Sequence, residues 1–450
     1  MKIMNVHIKW HIAFAIICII SIVGLFWEND STFNEIVFNP IDSIDKADTA
    51  WLLTSSCLVL LMTPGLSFFY GGMVGSKNVI STMLQSFICL GVISLIWIAF
   101  GFSLAFGDSN ITLELEGNSY GLIGNFSQYA FFDQVGLYPH KVIASSIPFA
   151  LFAMFQMKFA IITPALITGS FAERVRFVSY LLFICLFSII IYTPLCHAVW
   201  HPNGLLGGYF GVKDFAGGTV VHMSAGIAAL AGALYIGKRN KVHHQPTNIP
   251  FVILGTGMLW FGWFGFNAGS ALAADGAAAM AFATTTAASA SGMITWIFFD
   301  RINGRKVSAL GACIGTVVGL VAITPAAGFV TIPESIFFGF ITSIVSNLCM
   351  NWPFLKKVDD SLDVFACHGI GGIMGMILTA IFAHGENASL LHGGWTIFSH
   401  HMIALIIVFL LTFIGSIILF KITDLIIPLR VSKKSEEAGL DISQHNESFI

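Results

Sequence analysis

Charge is what this chain lacks most. Only 10% of its 450 residues are Asp, Glu, Lys or Arg, against about 25% in soluble domains. With 56% apolar residues and a mean hydropathy of +0.83, most side chains must face lipid or a packed apolar interior. A net charge of −3 is too small to argue for a nucleic-acid partner. Paired cysteine motifs are absent as well. The eight cysteines all sit in apolar runs and no CxxC occurs, so they read as small buried side chains, not as a disulfide framework or a metal site. No polar stretch is long enough for a soluble domain of useful size, and no cofactor is expected.

What the chain has instead is long apolar runs. The first, Ile12 to Trp27, is short, preceded by Lys2 and Lys9 and followed by a polar stretch from Glu28 to Asp48. A secretory signal has that form, yet no clear A-x-A site is present, so a cleaved signal peptide and an uncleaved signal anchor both fit residues 1–46. Eleven further runs approach the roughly 20 residues that cross a hydrocarbon core. They lie near 50–73, 80–106, 143–171, 175–196, 215–237, 249–268, 275–299, 307–324, 333–352, 363–384 and 398–424. Lys77, Arg174, Arg176, Lys238, Arg239, Lys241, Arg301, Arg305, Lys306, Lys356 and Lys357 all fall in every second connection, with Lys141 and Lys213 as exceptions. By the positive-inside rule the mature start is outside and the C-terminal tail cytoplasmic. The longest outer connection, about 107–142, is polar and acidic. Residues 431–450 form a charged tail, expected to be solvated and partly disordered.

Two pairs of segments echo each other. His222-Met-Ser-Ala-Gly226-Ile227 resembles His368-Gly-Ile-Gly-Gly372-Ile373, and Gly65 to Gly72 aligns with Gly262 to Gly269, setting Phe69 opposite Phe266. Both offsets are five spans, and an odd offset inverts the direction of travel. The expected fold is therefore an all-α membrane protein of eleven transmembrane helices, in two inverted five-helix halves plus a final helix. Transporters so built place their site between the halves near mid-membrane.

His222 lies eight residues after Asp214 and His368 five after Asp363, so the imidazoles enter the slab from opposite sides by about 12 Å and about 7–8 Å. Ionisable groups at such depth are costly and usually mark a pathway, although a satisfied interhelical hydrogen bond also fits a lone histidine. No further Cys, His or carboxylate completes the three or four ligands zinc takes. A neutral imidazole has one donor and one acceptor nitrogen, so two sharing a proton suit a neutral amine in a narrow file. A bare cation there would lose its hydration without a fixed countercharge. Imidazole also titrates near neutrality, which suits a proton relay.

Asp214 and Asp363 each precede a span and read first as helix caps. Among 42 phenylalanines, most are lipid-facing or core. Phe155 and Phe159 share a helix face, one turn apart. Trp200 ends a span outside, where an aromatic belt and a cation-holding aromatic cluster both fit.

These residues closely resemble the ammonium transporter (Amt) family. The likeness is carried by Asp214-Phe-Ala-Gly-Gly-Thr-Val-Val-His222, by Gly262-Trp-Phe-Gly-Phe-Asn-Ala-Gly-Ser270 and by Phe155-Gln156 with Phe159. Phe171-Ala-Glu-Arg-Val-Arg-Phe177, Gly311-Ala-Cys313, Asp359-Asp360, Asp363-Val-Phe and His368-Gly369 add to it. It runs from about Ala47 to Arg430 and into the tail, defining a transporter domain at 47–430 and a regulatory tail at 431–450; the first 46 residues carry none of it.

The resemblance implies a homotrimer with one pore per subunit in a plasma membrane, the bacterial inner membrane. It implies an outer recruitment site of Trp200, Phe155 and Ser270 with Asp214 behind it, a gate of Phe159 and Phe266, and a twin-histidine pore of His222 and His368. Trp263, Asn267 and Asp363 take supporting places. Ammonium would be deprotonated, and ammonia conducted with a proton; potassium, which has no proton to shed, would be rejected. Glu437-Ala-Gly-Leu-Asp441 and His445-Asn-Glu447 resemble the family tail, with Asn446 where the family often has Gly. That implies docking of a PII-type signalling protein. A Rhesus-type channel is the nearest alternative, favoured less by Trp200 and Ser270. An ammonium sensor acting through a bound partner is another. An enzyme is not expected, because no nucleophile or metal set stands beside the histidines.

Lys158 breaks the pattern. It falls between Phe155 and Phe159, and a lysine near mid-membrane costs about 2.5–3.5 kcal/mol. At 100° per residue it points about 80° off their shared face, toward a subunit interface or snorkelling outward.

Overall fold

The computed structural model describes residues 2–27, 43–240 and 245–449. The expected leader forms helix α1, Lys2–Phe26. Most of the polar stretch after it, like Lys241 in the inner loops, lies outside the described residues. Nine described helices are long and apolar enough to cross a membrane: α2 Lys46–Met73, α3 Val79–Phe106, α4 Phe149–Phe171, α5 Phe177–Trp200, α6 Gly218–Ile236, α7 Ile249–Ala271, α10 Ile332–Met350, α12 Phe365–Phe382 and α13 Trp395–Ile426. Between α7 and α10 lie α8, Gly276–Ile302, diluted by Ala, Thr and Ser, and α9, only 15 residues at Ala309–Ile323. Short helices α11, Pro353–Val358, and α14, Lys433–Ala438, lie in an inter-helix loop and in the tail.

The all-α expectation needs one amendment. The long outer connection folds into two small antiparallel sheets: β1 Ser109–Leu115 with β2 Asn118–Gly124, and β3 Pro139–His140 with β4 Ala144–Pro148. Leu115 pairs with Asn118 across a two-residue turn in which Glu116 and Gly117 both have positive φ, 52° and 80°, the twist-matched geometry of a tight hairpin. The cysteine expectation is also amended: Cys89, Cys196, Cys313 and Cys367 are buried, while Cys57 is exposed on α2.

The echo between segments is a physical pairing. Trp51 at the start of α2 donates its indole N–H to the Ala268 carbonyl at the end of α7 (3.2 Å), and Asp48 accepts from the Ala274 amide (2.8 Å). The two helices are antiparallel and touch through glycine. A Cβ on Gly255 would collide with the Phe69 amide and the Gly65 carbonyl. Helices α6 and α12 cross in the same manner. Gly226 lies on the Gly369 backbone, whereas Gly372, further along α12, approaches the Gly218 carbonyl at the start of α6. Glycine at these crossings lets backbones meet where lipid supplies no hydrophobic drive.

The tail is exposed along much of its length but docked at several points. Arg430 bridges to Val175 and pairs with Glu436 at 3.0 Å. Leu440 donates its amide to Asn78 Oδ1 (2.8 Å), and Asp441 accepts from the Ile80 and Ser81 amides (3.2 and 2.7 Å). Asn78 makes no side-chain cap of its own, so a tail carboxylate caps α3 from 360 residues away.

Candidate transport site

At the outer end, α5 stops at Trp200, whose indole N–H donates to the Asp214 backbone carbonyl (3.0 Å). The Asp214 carboxylate is fully engaged. It accepts from the amides of Gly217 (2.9 Å), Gly218 (2.6 Å) and Thr219 (2.8 Å), and from the Thr219 hydroxyl. It caps α6, as its place in sequence suggested, and touches the outer chamber only through the carbonyl that holds Trp200. Gly217, at φ +118°, makes the turn that lets these amides converge.

Trp200, Phe159, Gln156 and Ser270 line one outer chamber, with Phe215 on its wall. Ser270 donates to the Phe266 carbonyl (2.8 Å), which leaves hydroxyl lone pairs free to accept. Phe155 is not in this lining. It is fully buried, edge-on to Phe159 with ring centroids 5.0 Å apart, so it braces that ring from one layer back. Gln156 takes the chamber position and its buried Oε1 has no hydrogen-bond partner. Its place beside Phe155 in the Phe155-Gln156 motif is the sequence signal that points to it.

Phe159, on the chamber wall, packs against Phe266, their rings 4.3 Å apart and tilted by 34°. Phe159 also meets Trp200 edge-on at 5.7 Å. Directly below, His222 lies 5.8 Å from the Phe266 ring and stacks at 18° on Trp263, 5.2 Å away. Trp263 is fixed by its N–H to Thr324 Oγ1 (2.9 Å), and Asn267 ties α7 to α8 through Thr285 Oγ1 (2.9 Å). His222 and His368 are 1% and 4% exposed, with Nδ1 atoms 3.3 Å apart. One nitrogen of that pair must carry hydrogen while the other presents its lone pair. His222 Nε2 has no protein partner. Leu66, Ile162, Leu259 and Val317 line the space beside both rings, so its walls there are apolar apart from imidazole.

Neither histidine sits in a regular α-turn. Gly218–Met223 and Phe365–Gly369 are both wound as π-helix, a wide turn frequent at functional sites. Sequence offered no sign of it.

At the inner end the expectation for Asp363 is corrected. The residue that caps α12 is Asp360, whose Oδ2 accepts from the Phe365 amide (2.7 Å). Asp363 occupies a left-handed turn at φ 55°. Burial, then the adjacent Asp360, pushes its carboxyl up to about 8. Beside it is a network that joins residues of two family motifs, Glu173, Arg174 and Asp359, to the inner-loop Arg239. Arg239 bridges Glu173 and Asp359, both at 2.7 Å, and the buried Arg174 donates to Ser361 Oγ (2.6 Å) and the Asp359 carbonyl (2.8 Å). Glu173 in turn accepts from Asn78 (3.2 Å), the residue that holds the tail. Lys158 lines neither chamber; its titratable neighbour is Cys57 on the outer surface of α2.

Stacked aromatic rings beside an apolar, imidazole-lined space, set where two antiparallel helix pairs cross, mark the interior of a multi-pass membrane protein. The profile of the Ammonium Transporter Family matches residues 50–449, and the chain belongs to that family. An ammonium transporter of Bacillus subtilis is 43% identical over 90% of this chain and 98% of its own length. One from Aquifex aeolicus is 41% identical over 93% and 96%. The crystal structure of Candida albicans Mep2 superposes with a TM-score of 0.80 at 30% identity, covering 89% of this chain and 90% of that one. A structure described as a sensor Amt protein superposes at 0.79 and 30%, covering 89% and 98%.

Proposed function

We propose that this chain transports ammonium across the plasma membrane, binding NH4+ in the outer chamber and passing NH3, with a proton, beside the histidine pair. The observation that carries this reading is the column Trp200, Phe159, Phe266, His222, His368, each ring within 6 Å of the next. Aromatic faces attract a desolvated cation by about 2 kcal/mol, and the Ser270 oxygen accepts one of its hydrogens. An intact ion going further would enter an apolar lumen without countercharge. A neutral amine meets imidazole nitrogens that donate and accept, while the histidine pair takes the proton. Asp214 acts by holding Trp200.

We count α8 and α9 with the nine more apolar helices, giving eleven spans in two inverted halves plus α13. The basic loops then lie in the cytoplasm, with the start of α2 outside and the tail inside. On the family resemblance alone, we propose a homotrimer with one pore per subunit. The docked tail, linked through Asn78 and Glu173 to the Arg239 network at the pore mouth, supplies a surface on which a PII-type protein would act. That linkage also favours a second reading, a sensor signalling through a bound partner.

Uptake of radiolabelled methylammonium into proteoliposomes, with current recorded on a supported membrane, tests the proposal. Uptake and current together are expected. Uptake without current would mean neutral gas conduction, and neither signal would favour the sensor.

A further inference from the structure

We propose that His401, on the final helix α13, is a positioning residue for the outer chamber: it accepts the Lys213 amide and so fixes the segment whose Asp214 carbonyl holds Trp200. The inference rests on the ammonium reading above and adds to it a residue that touches no substrate. Residues 201–217 join α5 to α6, and Gly204, Gly207, Gly208 and Gly211 give that connection little stiffness of its own. Yet it carries two parts of the chamber. The Asp214 carbonyl accepts the Trp200 indole N–H (3.0 Å), and Phe215 stands on the chamber wall. The connection is held from outside itself. Helix α13 supplies two ties: His400 Nδ1 donates to the Phe210 carbonyl (3.0 Å), and His401 Nε2 accepts from the Lys213 amide (2.9 Å). The Lys213 ammonium lies 5.1 Å from the Phe329 ring centre, and the Phe215 amide donates to the Pro325 carbonyl (3.1 Å).

The His401 tie is the one beside Asp214. The ring is fully buried, and an imidazole that accepts at Nε2 is neutral, with its hydrogen on Nδ1. Without that lone pair the Lys213 amide must turn to find another partner. The Asp214 carboxylate cannot follow, because the Gly217, Gly218 and Thr219 amides anchor it to α6. Rotation at residues 213–214 therefore shifts the Asp214 carbonyl, and with it Trp200, while the α6 cap and the histidine pair stay in place. Recruitment should suffer and the pore should not. Helix α13, which stands outside the two halves proposed above, thus reaches the outer chamber through one neutral imidazole.

The test measures methylammonium uptake by the full chain in proteoliposomes. His401→Phe keeps a flat ring and removes both nitrogens; His401→Gln returns an oxygen acceptor on a side chain of similar reach. His401→Phe should raise the half-saturating concentration about tenfold while the maximal rate stays within about twofold, the mark of lost binding rather than lost transport. His401→Gln should recover most of that affinity. Trp200→Phe, which loses the indole N–H, should raise the same constant, and adding His401→Phe to it should change little more, because both act through the Asp214 carbonyl. Hydrogen exchange gives a readout independent of uptake: amides of residues 209–215 should exchange faster in His401→Phe than in wild type or His401→Gln, with α6 unchanged. The proposal fails if exchange is unaltered, if the two single effects multiply in the double variant, or if His401→Phe and His401→Gln lose melting temperature and maximal rate alike. Faster exchange in a chain that shows no uptake even as wild type would reject the ammonium reading and leave the hold on Asp214 standing.

Discussion

His222 and His368 hold their Nδ1 atoms 3.3 Å apart because two glycines, Gly226 and Gly369, let their helices touch at the backbone. The histidines enter from opposite ends of the molecule on antiparallel helices. They meet only where no Cβ intervenes.

Replacing His222 removes one half of that pair and opens its Nε2 position. His222→Ala should lower proton-coupled current by about tenfold or more, or loosen rejection of potassium, in supported-membrane recordings. Current and selectivity both at wild-type levels would remove the relay from the mechanism.

Gly226→Ala tests the crossing itself. The added methyl meets the Gly369 backbone, which cannot rotate away as a side chain would. Overpacking of this sort costs about 1–3 kcal/mol. A fall in melting temperature with loss of uptake is expected; an unchanged melting temperature would show the helices free to separate.

Asp363 gives stability a pH signature. Burial and the adjacent Asp360 raise its carboxyl from an ordinary 3.8 to about 8, against the pull of Arg239 and Lys356. The folded chain therefore keeps a proton that the unfolded chain has released. Where the native state binds more protons, stability falls as pH rises, here through the window from about 4 to about 8. Asp363→Asn, which mimics the protonated form, should flatten that part of the melting-temperature profile. Parallel profiles for variant and wild type would mean that Asp363 ionises normally.

Lys158 lines neither chamber. Lys158→Met should leave methylammonium uptake within about threefold, since its ammonium stands off the route at the flank where such stems snorkel. A large gain in uptake would place that charge on the pathway.

Much of this protein is legible without coordinates. Apolar run length set the spans to within a few residues: the run near 215–237 is helix Gly218–Ile236, and that near 249–268 is Ile249–Ala271. The order of motifs carried the family, and their five-span offset the antiparallel pairing. Packing, in contrast, moved several roles. Asp360, not Asp363, caps α12. Phe155 stands behind Phe159, and Gln156 takes the place at the chamber wall.

The tail shows the division most sharply. Its charge read as solvation, but Asp441 supplies a cap that α3 lacks, a partnership between residues 360 positions apart. Hydrophobic length and periodicity are properties of a single segment, so sequence alone determines which segments enter the membrane. The meeting of two imidazoles, the stacking of Phe159 on Phe266 and the capping of a helix by a distant carboxylate depend on which backbones approach to contact. That is settled only when all the helices pack together.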